Sequence, residues 1–237
     1  VLFGAGSAIC ADVAGSCRRN GQPIAAAVRN VPGPVYAGDD IPIFDAAELP
    51  AEIAALPFLL PLFDPKNRRA AFADATRCGF RDPAVLVDCT AIIAPDCAVE
   101  PGVYVNAGSI IGSGSRLERF AFCNRGANIG HHCRIGAFAS IGPGAVLAGL
   151  VTIGADSQVG AGAPPVQMQS GEIPMGFTSR QMAVVSEDEC RASVGLPLHL
   201  TGHPVGVPVR VRTADQRDHA GGVRGGHRGA LRVAPAT

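Results

Sequence analysis

The sequence contains no tryptophan, and lysine occurs only once, as Lys66, against nineteen arginines. Acidic and basic residues balance to a formal net charge of zero, so no excess of positive charge indicates nucleic acid or an anionic membrane as a partner. No apolar run approaches the roughly 18 residues that a membrane-spanning helix needs. None of the eight cysteines forms a CxxC pair, which argues against a zinc ribbon. These absences predict a protein of the reducing cytoplasm without a metal site.

A six-residue repeat runs without a break through residues 87–164. Twelve of its thirteen first positions are aliphatic and the other is a cysteine: Val87, Ile93, Val99, Val105, Ile111, Leu117, Cys123, Ile129, Ile135, Ile141, Leu147, Ile153 and Val159. Every fifth position holds a small residue, as at Ala121, Cys133 and Ala139. Glycine often fills the second position, as at Gly112, Gly130, Gly136, Gly142, Gly154 and Gly160.

One large and one small inward side chain in every six residues predict a narrow, regularly layered interior. Three hexads make a triangular coil of 18 residues with a short strand on each side, and such coils stack at about 4.8 Å. Thirteen hexads therefore predict a prism about 20 Å long. We expect the second-position glycines to permit tight corners. The pattern predicts a mainly β fold, a parallel β-helix, over residues 83–165.

Residues 1–82 lack the repeat and alternate between strand and helix signals. Strands are predicted over Val1–Phe3, Pro23–Val28 and Pro57–Phe63, and helices over Ala8–Arg19, Ala46–Ala55 and Lys66–Gly79. This alternation favours a small open parallel sheet, that is, a Rossmann-like α/β domain. Its ligand crevice is expected beyond the carboxyl ends of the strands.

Two polar segments follow predicted strands in this domain. Gly4, Gly6 and Ser7 form a turn before the first helix, where backbone N–H groups could bind a phosphate. An ordinary tight connection is the alternative, because the third glycine of the dinucleotide-binding pattern is absent. Asp64 and Lys66 follow the third strand and are predicted to bind substrate at the same crevice. A helix start is the competing interpretation for that segment.

Residues 166–237 have no repeat, and from residue 195 onward they are rich in Gly, Pro, Arg and His. Few bulky apolar residues occur there, so this segment is predicted to be largely irregular or disordered. A basic docking tail and a shifted reading frame in the gene are alternative explanations of the change in composition. The chain thus divides into three predicted regions, 1–82, 83–165 and 166–237.

The hexad pattern resembles that of the hexapeptide-repeat acyltransferases, whose β-helix is left-handed. Together with the short N-terminal domain and the segment Asn124–Cys133, it is similar to the sialic-acid O-acetyltransferase (NeuD-type) family, which includes N-acetyltransferases of nucleotide-linked amino sugars. The resemblance covers roughly residues 1–164. It implies transfer of an acetyl group from acetyl-CoA to an amino or hydroxyl group of a nucleotide-linked sugar, in glycan biosynthesis and without a metal. The flat faces of a prism further predict a homotrimer with sites between adjacent prisms.

The resemblance implies that His131 is the general base. Residues 18 apart stack in one column, so His131 is expected at a corner below Gly149, and a merely solvated corner is the competing interpretation. His132 occupies the place of the family's acidic residue and is a second catalytic candidate, either as a hydrogen-bond partner that orients His131 or as the base itself, so the group that orients His131 is left open. Asn124 is a further catalytic candidate, and a stacked amide ladder with Asn106 is its alternative.

The resemblance also implies a groove for acetyl-CoA along the prism. Ser140 stands where the family has a second histidine that helps to bind the cofactor. Gly142, Gly149 and Gly160 are expected to contact the cofactor, and N–H groups near Gly149 to stabilise the oxyanion. Three alternatives stay open: a zinc hydratase on the same fold, a non-catalytic scaffold, and a transferase that takes its acyl group from an acyl-carrier protein.

Overall fold

A computed structural model describes residues 1–163 and the short strand Glu172–Ile173. Apart from that strand, the segment 166–237 and the predictions made for it lie outside the described residues. The described part of the chain contains no helix that is long and apolar enough to cross a membrane.

The repeat forms a left-handed parallel β-helix, as predicted. Thirteen two-residue strands, β4 to β16, follow at six-residue intervals: Leu86–Val87, Ile92–Ile93, Ala98–Val99, Tyr104–Val105, Ile110–Ile111, Arg116–Leu117, Phe122–Cys123, Asn128–Ile129, Arg134–Ile135, Ser140–Ile141, Val146–Leu147, Thr152–Ile153 and Gln158–Val159. Each pairs in parallel with the strands 18 residues away, as Cys123 does with Val105 and Ile141. The last strand, β17 (Glu172–Ile173), pairs with β15 at a spacing of 20 residues, so the strict frame ends before it.

The strands build three faces, which we name by their outer surfaces. The covered face contains β4, β7, β10, β13 and β16, the apolar face contains β5, β8, β11 and β14, and the charged face contains β6, β9, β12, β15 and β17. First- and fifth-position side chains fill the interior and are almost fully buried from Val103 to Val159. Cys123 and Cys133 lie among them, where each acts as a small apolar side chain.

The expectation that second-position glycines permit the corners was wrong, because the left-handed backbone falls on the fourth position. Gly108, Gly126, Gly144 and Gly162 form one such column with φ between 61° and 67°. The second-position glycines are required for a different reason, because the backbone of the next coil approaches them closely. A Cβ on Gly130 would lie 2.5 Å from the carbonyl carbon of Ala148, closer than any side chain tolerates.

The N-terminal part is a small parallel sheet in the order β1-β2-β3, formed by Leu2–Phe3, Ala27–Arg29 and Ile43–Asp45. Helix α1 (Ile9–Arg19) connects β1 to β2, a 3₁₀ turn covers Ala46–Glu48, and α2 (Ala51–Ala54) and α3 (Pro65–Arg77) follow. The predicted strand Pro57–Phe63 contributes only isolated bridges, of which one joins Leu59 to Leu2. Strand β3 was missed because it is short and largely exposed. No helix separates β2 from β3, so the Rossmann-like description stays an interpretation.

This sheet packs on the covered face of the prism. The outward residues of β4, β7 and β10 are Leu86, Tyr104 and Phe122, and all three are buried in one cluster with side chains of α1. A second cluster joins the corner residues Phe120 and Phe138 to aromatic side chains of the N-terminal part. The two predicted domains therefore share continuous apolar cores.

Arg68 of α3 is the most deeply buried polar link between the two parts, with 1% of its surface exposed. Its guanidinium donates hydrogen bonds of 2.6–3.1 Å to five carbonyl oxygens and one hydroxyl, those of Leu62, Phe63, Phe120, Phe138, Ala139 and Ser140. Burial lowers the pKa of Arg68 to about 9, which leaves it charged at neutral pH. The cation thus replaces water for a row of buried acceptors at the interface.

The narrow interior makes a specific prediction at the fifth position. Ala139→Leu should overpack the coil and reduce the free energy of unfolding by about 1–3 kcal/mol, because Ala139 is fully buried. Ala98→Leu is the matched control on the outer side of β6, where an exposed side chain should change stability by no more than about 0.5 kcal/mol. Chemical denaturation measures both, and equal losses would contradict the assignment of inward positions.

Candidate functional site

A cleft of about 590 Å³ opens in the N-terminal part, at the ends of the strands where the crevice was predicted. Four of the five predicted substrate residues line it: Gly4, Gly6, Ser7 and Asp64. Lys66 is not among its lining residues. Asn30, Asn67 and Asp74 also line it. Asn67 belongs to the polar segment 64–69 after the third predicted strand, whereas Asn30 and Asp74 were not predicted, although the place of Asn30 directly after β2 could have indicated it.

The turn after β1 brings backbone close to the cleft. Gly4 has a φ of +97°, and a Cβ there would lie 2.5 Å from the side chain of Leu62, so glycine is required on two counts. Ser7 stands just before α1, whose N-terminus begins at Ile9. No arginine or lysine is among the residues that line the cleft. A bound phosphate would therefore rely on backbone N–H groups at the start of α1.

Asp64 has a structural role as well as a place in the cleft. It is the N-cap of α3, and its Oδ1 accepts a hydrogen bond of 2.8 Å from the backbone N–H of Asn67. Both interpretations made from the sequence therefore apply to it. Across the cleft, the amide of Asn30 donates to Asp74 at 2.9 Å, which fixes a second carboxylate at the rim.

His131 and His132 form an exposed corner between the apolar and charged faces. Their Nδ1 atoms lie 3.1 Å apart, and the rings meet edge to face. The far side of the His131 imidazole lies against Gly149 in the next coil, since a Cβ on that glycine would be 2.5 Å from Nε2. The stacking of His131 below Gly149 thus agrees with the geometry expected from the repeat.

Asn124 occupies a different corner and is buried. Its Oδ1 accepts hydrogen bonds from Asn106 Nδ2 at 3.1 Å and from the backbone N–H of Arg125 at 2.8 Å. This is the amide ladder that the sequence analysis gave as the alternative to a catalytic role. The structure does not bring Asn124 together with His131.

Ser140 is also placed away from the histidines. It lies on the covered face, fully buried, where its hydroxyl donates to the Phe63 carbonyl at 2.5 Å and accepts from Arg68. It has no exposed surface to offer a cofactor, so the prediction of a cofactor contact does not fit its position.

Gly142 and Gly160 continue the column of Asn106 and Asn124 and are buried. A Cβ on Gly142 would lie 2.5 Å from the carbonyl carbon of Gly160, so glycine is needed at position 142 for the close packing of adjacent coils. Of the four residues predicted to bind the cofactor, Gly149 alone lies beside His131. In the part of the chain that the structure describes, no group of three or more His, Cys, Asp or Glu side chains could hold a metal ion.

Solved structures share this architecture. A perosamine N-acetyltransferase from Caulobacter crescentus, in complex with CoA and GDP-perosamine, is 25% identical with a TM-score of 0.58, and the match covers 75% of this chain and 89% of that one. That structure is of a variant in which one histidine is replaced by asparagine. PerB from Caulobacter crescentus, in complex with CoA and GDP-perosamine, is 26% identical with a TM-score of 0.56, over 75% of this chain and 89% of that one.

The acetyltransferase domain of PglB from Neisseria gonorrhoeae, in complex with acetyl coenzyme A, is 23% identical with a TM-score of 0.58, over 75% of this chain and 93% of that chain. This second likeness supports the fold. No protein-family model and no curated protein match the chain. The chain therefore has the fold of the nucleotide-amino-sugar acetyltransferases, whereas the narrower resemblance to sialic-acid O-acetyltransferases stays a prediction.

The contact between His131 and Gly149 generates a prediction about the imidazole. Gly149→Ala should push the ring off its present position, because the new methyl group would fall 2.5 Å from Nε2. Histidine side-chain NMR should show shifted His131 resonances, while the stability changes by no more than about 0.5 kcal/mol, because only the exposed ring of His131 has to move.

Gly15→Ala in α1 is the control, since a Cβ there meets only the flexible end of Arg19. It should leave the His131 resonances unchanged. Identical spectra for Gly149→Ala and the unmodified protein would mean that the ring does not rest on this glycine.

Proposed function

We propose that this protein transfers an acetyl group from acetyl-CoA to an amino group, or alternatively a hydroxyl group, of a sugar linked to a nucleotide. The observation that carries the proposal is the exposed His131 imidazole, held against Gly149 on a fold of this kind. The cleft between Gly4 and Asp74 supports it, because its size suits a nucleotide-linked sugar. The likeness to a perosamine N-acetyltransferase with CoA and GDP-perosamine favours an amine as acceptor.

His131 would act as a general base at Nε2. The lone pair of the sugar amine attacks the thioester carbonyl carbon, and the amine N–H proton passes to Nε2 as the C–N bond forms. The tetrahedral intermediate then collapses, the C–S bond breaks, and the CoA thiolate leaves and takes up a proton. Backbone N–H groups near Gly149 are the candidates for stabilising the oxyanion.

The nucleotide would bind in the N-terminal cleft. With no basic side chain among the lining residues, its phosphates would meet the backbone around Gly4, Gly6 and Ser7 at the start of α1. Asp64, Asn67 and Asp74 offer acceptors and donors to the ribose or the base. Acetyl-CoA would lie along the prism near Gly149 rather than at the buried Ser140.

The two halves of the proposed site lie on different sides of one chain. The cleft belongs to the part that packs on the covered face, whereas His131 is at the corner between the other two faces, which is opposite the covered face in a triangular prism. A second copy is therefore needed to bring a histidine to each cleft. The apolar face is suited to that contact, since Ile92 and Ile110 are 65% and 43% exposed on it and Leu150 at its edge is 67% exposed. We infer a homotrimer from this arrangement.

The catalytic assignment is tested with purified protein, acetyl-CoA and a panel of nucleotide-linked amino sugars. We expect thioester consumption with at least one sugar, and His131→Ala should lower kcat by about 100-fold or more through loss of the general base. Acetyl-CoA binding, measured by calorimetry, should survive the substitution. Unchanged kcat in His131→Ala would end the assignment, and absence of acetyl-CoA binding by the unmodified protein would favour the scaffold alternative.

Assembly gives a separate prediction. Light scattering should report a trimer at micromolar concentration, and Ile110→Glu should dissociate it, because a charge would be buried among apolar side chains. Ile43→Glu is the control, an equally exposed isoleucine on strand β3 of the N-terminal sheet. A monomer that transfers acetyl groups at the full rate would contradict the shared site.

A further inference from the structure

The corner that carries His132 contains a column of four residues, one from each coil. Asp96, Gly114, His132 and Leu150 occupy equivalent positions 18 residues apart. His132 adopts the left-handed conformation with a φ of 55°, as Gly114 does with 69°. The side chain of His132 is directed along the column toward the coil below, because its ring lies over Gly114.

The two nitrogen atoms of the His132 ring face different neighbours. Its Cδ2–Nε2 edge lies over Gly114, where a Cβ would be 2.8 Å from Cδ2 and 2.9 Å from Nε2. Its Nδ1 atom points the other way, toward Nδ1 of His131 at 3.1 Å. Glycine at position 114 thus leaves room for the imidazole, as Gly149 does for His131 in the opposite direction.

The carboxylate of Asp96 is fixed just below this ring. Its Oδ2 accepts a hydrogen bond of 2.6 Å from the hydroxyl of Ser113 and one of 3.0 Å from the backbone N–H of Gly114, the residue under the His132 ring. The hydrogen bond from Ser113, the N–H of Gly114 and the attraction of His132 together lower the pKa of Asp96. A negative charge therefore faces the Nε2 side of His132 at neutral pH.

The short distance between the two Nδ1 atoms requires that one of them carries a proton and the other accepts it. Two arrangements satisfy this, and they differ in which nitrogen of His131 stays unprotonated. If His131 donates from Nδ1, its Nε2 is free to take a proton. If His132 donates instead, the Nδ1 of His131 is the acceptor, and Nε2 is occupied by hydrogen in the neutral ring.

We propose that Asp96 is a positioning residue that selects the first arrangement through His132. Its negative charge favours the proton on Nε2 of His132, so that Nδ1 of His132 accepts from His131 and the Nε2 of His131 is left as the base. The proposal rests on the proposed function for its catalytic meaning. It supplies the charge that the sequence lacks at position 132, from a residue two coils away in the same column.

Other charged side chains of this region have partners of their own. On the charged face, Arg116 pairs with Glu100 and Arg134 pairs with Glu118, next to the corner but directed along the strands. Asp96 is thus the carboxylate that faces His132 from the coils below it. Above the histidines, the next coil presents Leu150 over His132 and Gly149 over His131, and neither residue carries a charge.

The test uses Asp96→Asn in the full-length chain. Asparagine keeps an oxygen that can accept from Ser113 and Gly114, so the turn should be preserved while the negative charge is removed. Nitrogen-15 NMR of the histidine rings, with the His131 signals identified from His131→Ala, reports which nitrogen carries the proton. We expect the Nδ1-protonated form of His131 to dominate, and its ratio to the other form to fall about two- to fivefold in Asp96→Asn, the range for an exposed charge interaction.

Steady-state kinetics give the second measurement. In Asp96→Asn, kcat should fall in proportion to the fraction of His131 in the Nδ1-protonated form, and therefore by less than the ratio itself, with KM for both substrates unchanged because the charge acts on the base and not on binding. Asp96→Glu should restore much of the loss. Glu100→Gln, which removes a carboxylate paired with Arg116 on another corner, should change neither the NMR ratio nor kcat.

An unchanged ratio of His131 forms in Asp96→Asn would overturn the inference, whether or not the protein transfers acetyl groups. A changed ratio in a protein that transfers none would overturn the proposed function instead and leave the proton arrangement established. A fall in kcat with an unchanged ratio would also count against Asp96, since it would then act only by supporting the turn.

Discussion

A buried guanidinium fixes how the two halves of this molecule meet. Burying a cation costs several kcal/mol unless its hydrogen-bonding capacity is met, and Arg68 forms no ion pair with any carboxylate of residues 1–163. Carbonyl oxygens from the loop before α3 and from the corner after β12 meet that capacity together. Neither half alone presents the full set of acceptors, so the arrangement forms only when α3 docks on the prism. The cation–π contact of Arg69 with Phe138, at 4.1 Å, and its ion pair with Asp156 extend the same contact.

The docking of the N-terminal part decides which faces of the prism stay accessible. Because the covered face is sealed by the N-terminal part, the remaining two faces are the ones available to other molecules. One of them presents Ile92 and Ile110, while the other presents Arg–Glu pairs that are compatible with solvent. The histidine corner lies where these two faces meet, and the cleft lies on the far side of Arg68. Under the proposed function, a site that combines both is assembled from two copies of the chain, so catalysis depends on assembly.

The predictable and unpredictable features differ in their physical origin. The hexad frame could be followed strand by strand because the interior of a coil accepts one large and one small side chain, so each inward position limits its own residue. The size of the side chain is not restricted in this way at outward positions. The large apolar residues Tyr104 and Phe122 at sixth positions were a signal that this face is covered, and that signal would have placed Ser140 in an interface instead of a cofactor groove. The location of Arg68 itself could not be predicted, because basic side chains near the start of a helix are ordinarily solvated.

The β-helix also changes what a missing motif residue means. In most folds a residue next to the base in sequence is the natural place for the group that orients it, and His132 stands at that place here. In a coil that repeats every 18 residues, however, the spatial neighbours of a corner lie in the adjacent coils, so Ser113 and Gly114 contact His132 directly, and Asp96 binds both of them from one coil further away. A charge lost from a segment can then be supplied within a column. For this architecture, an active site has to be compared column by column, because a comparison of linear motifs overlooks the groups that are adjacent in space.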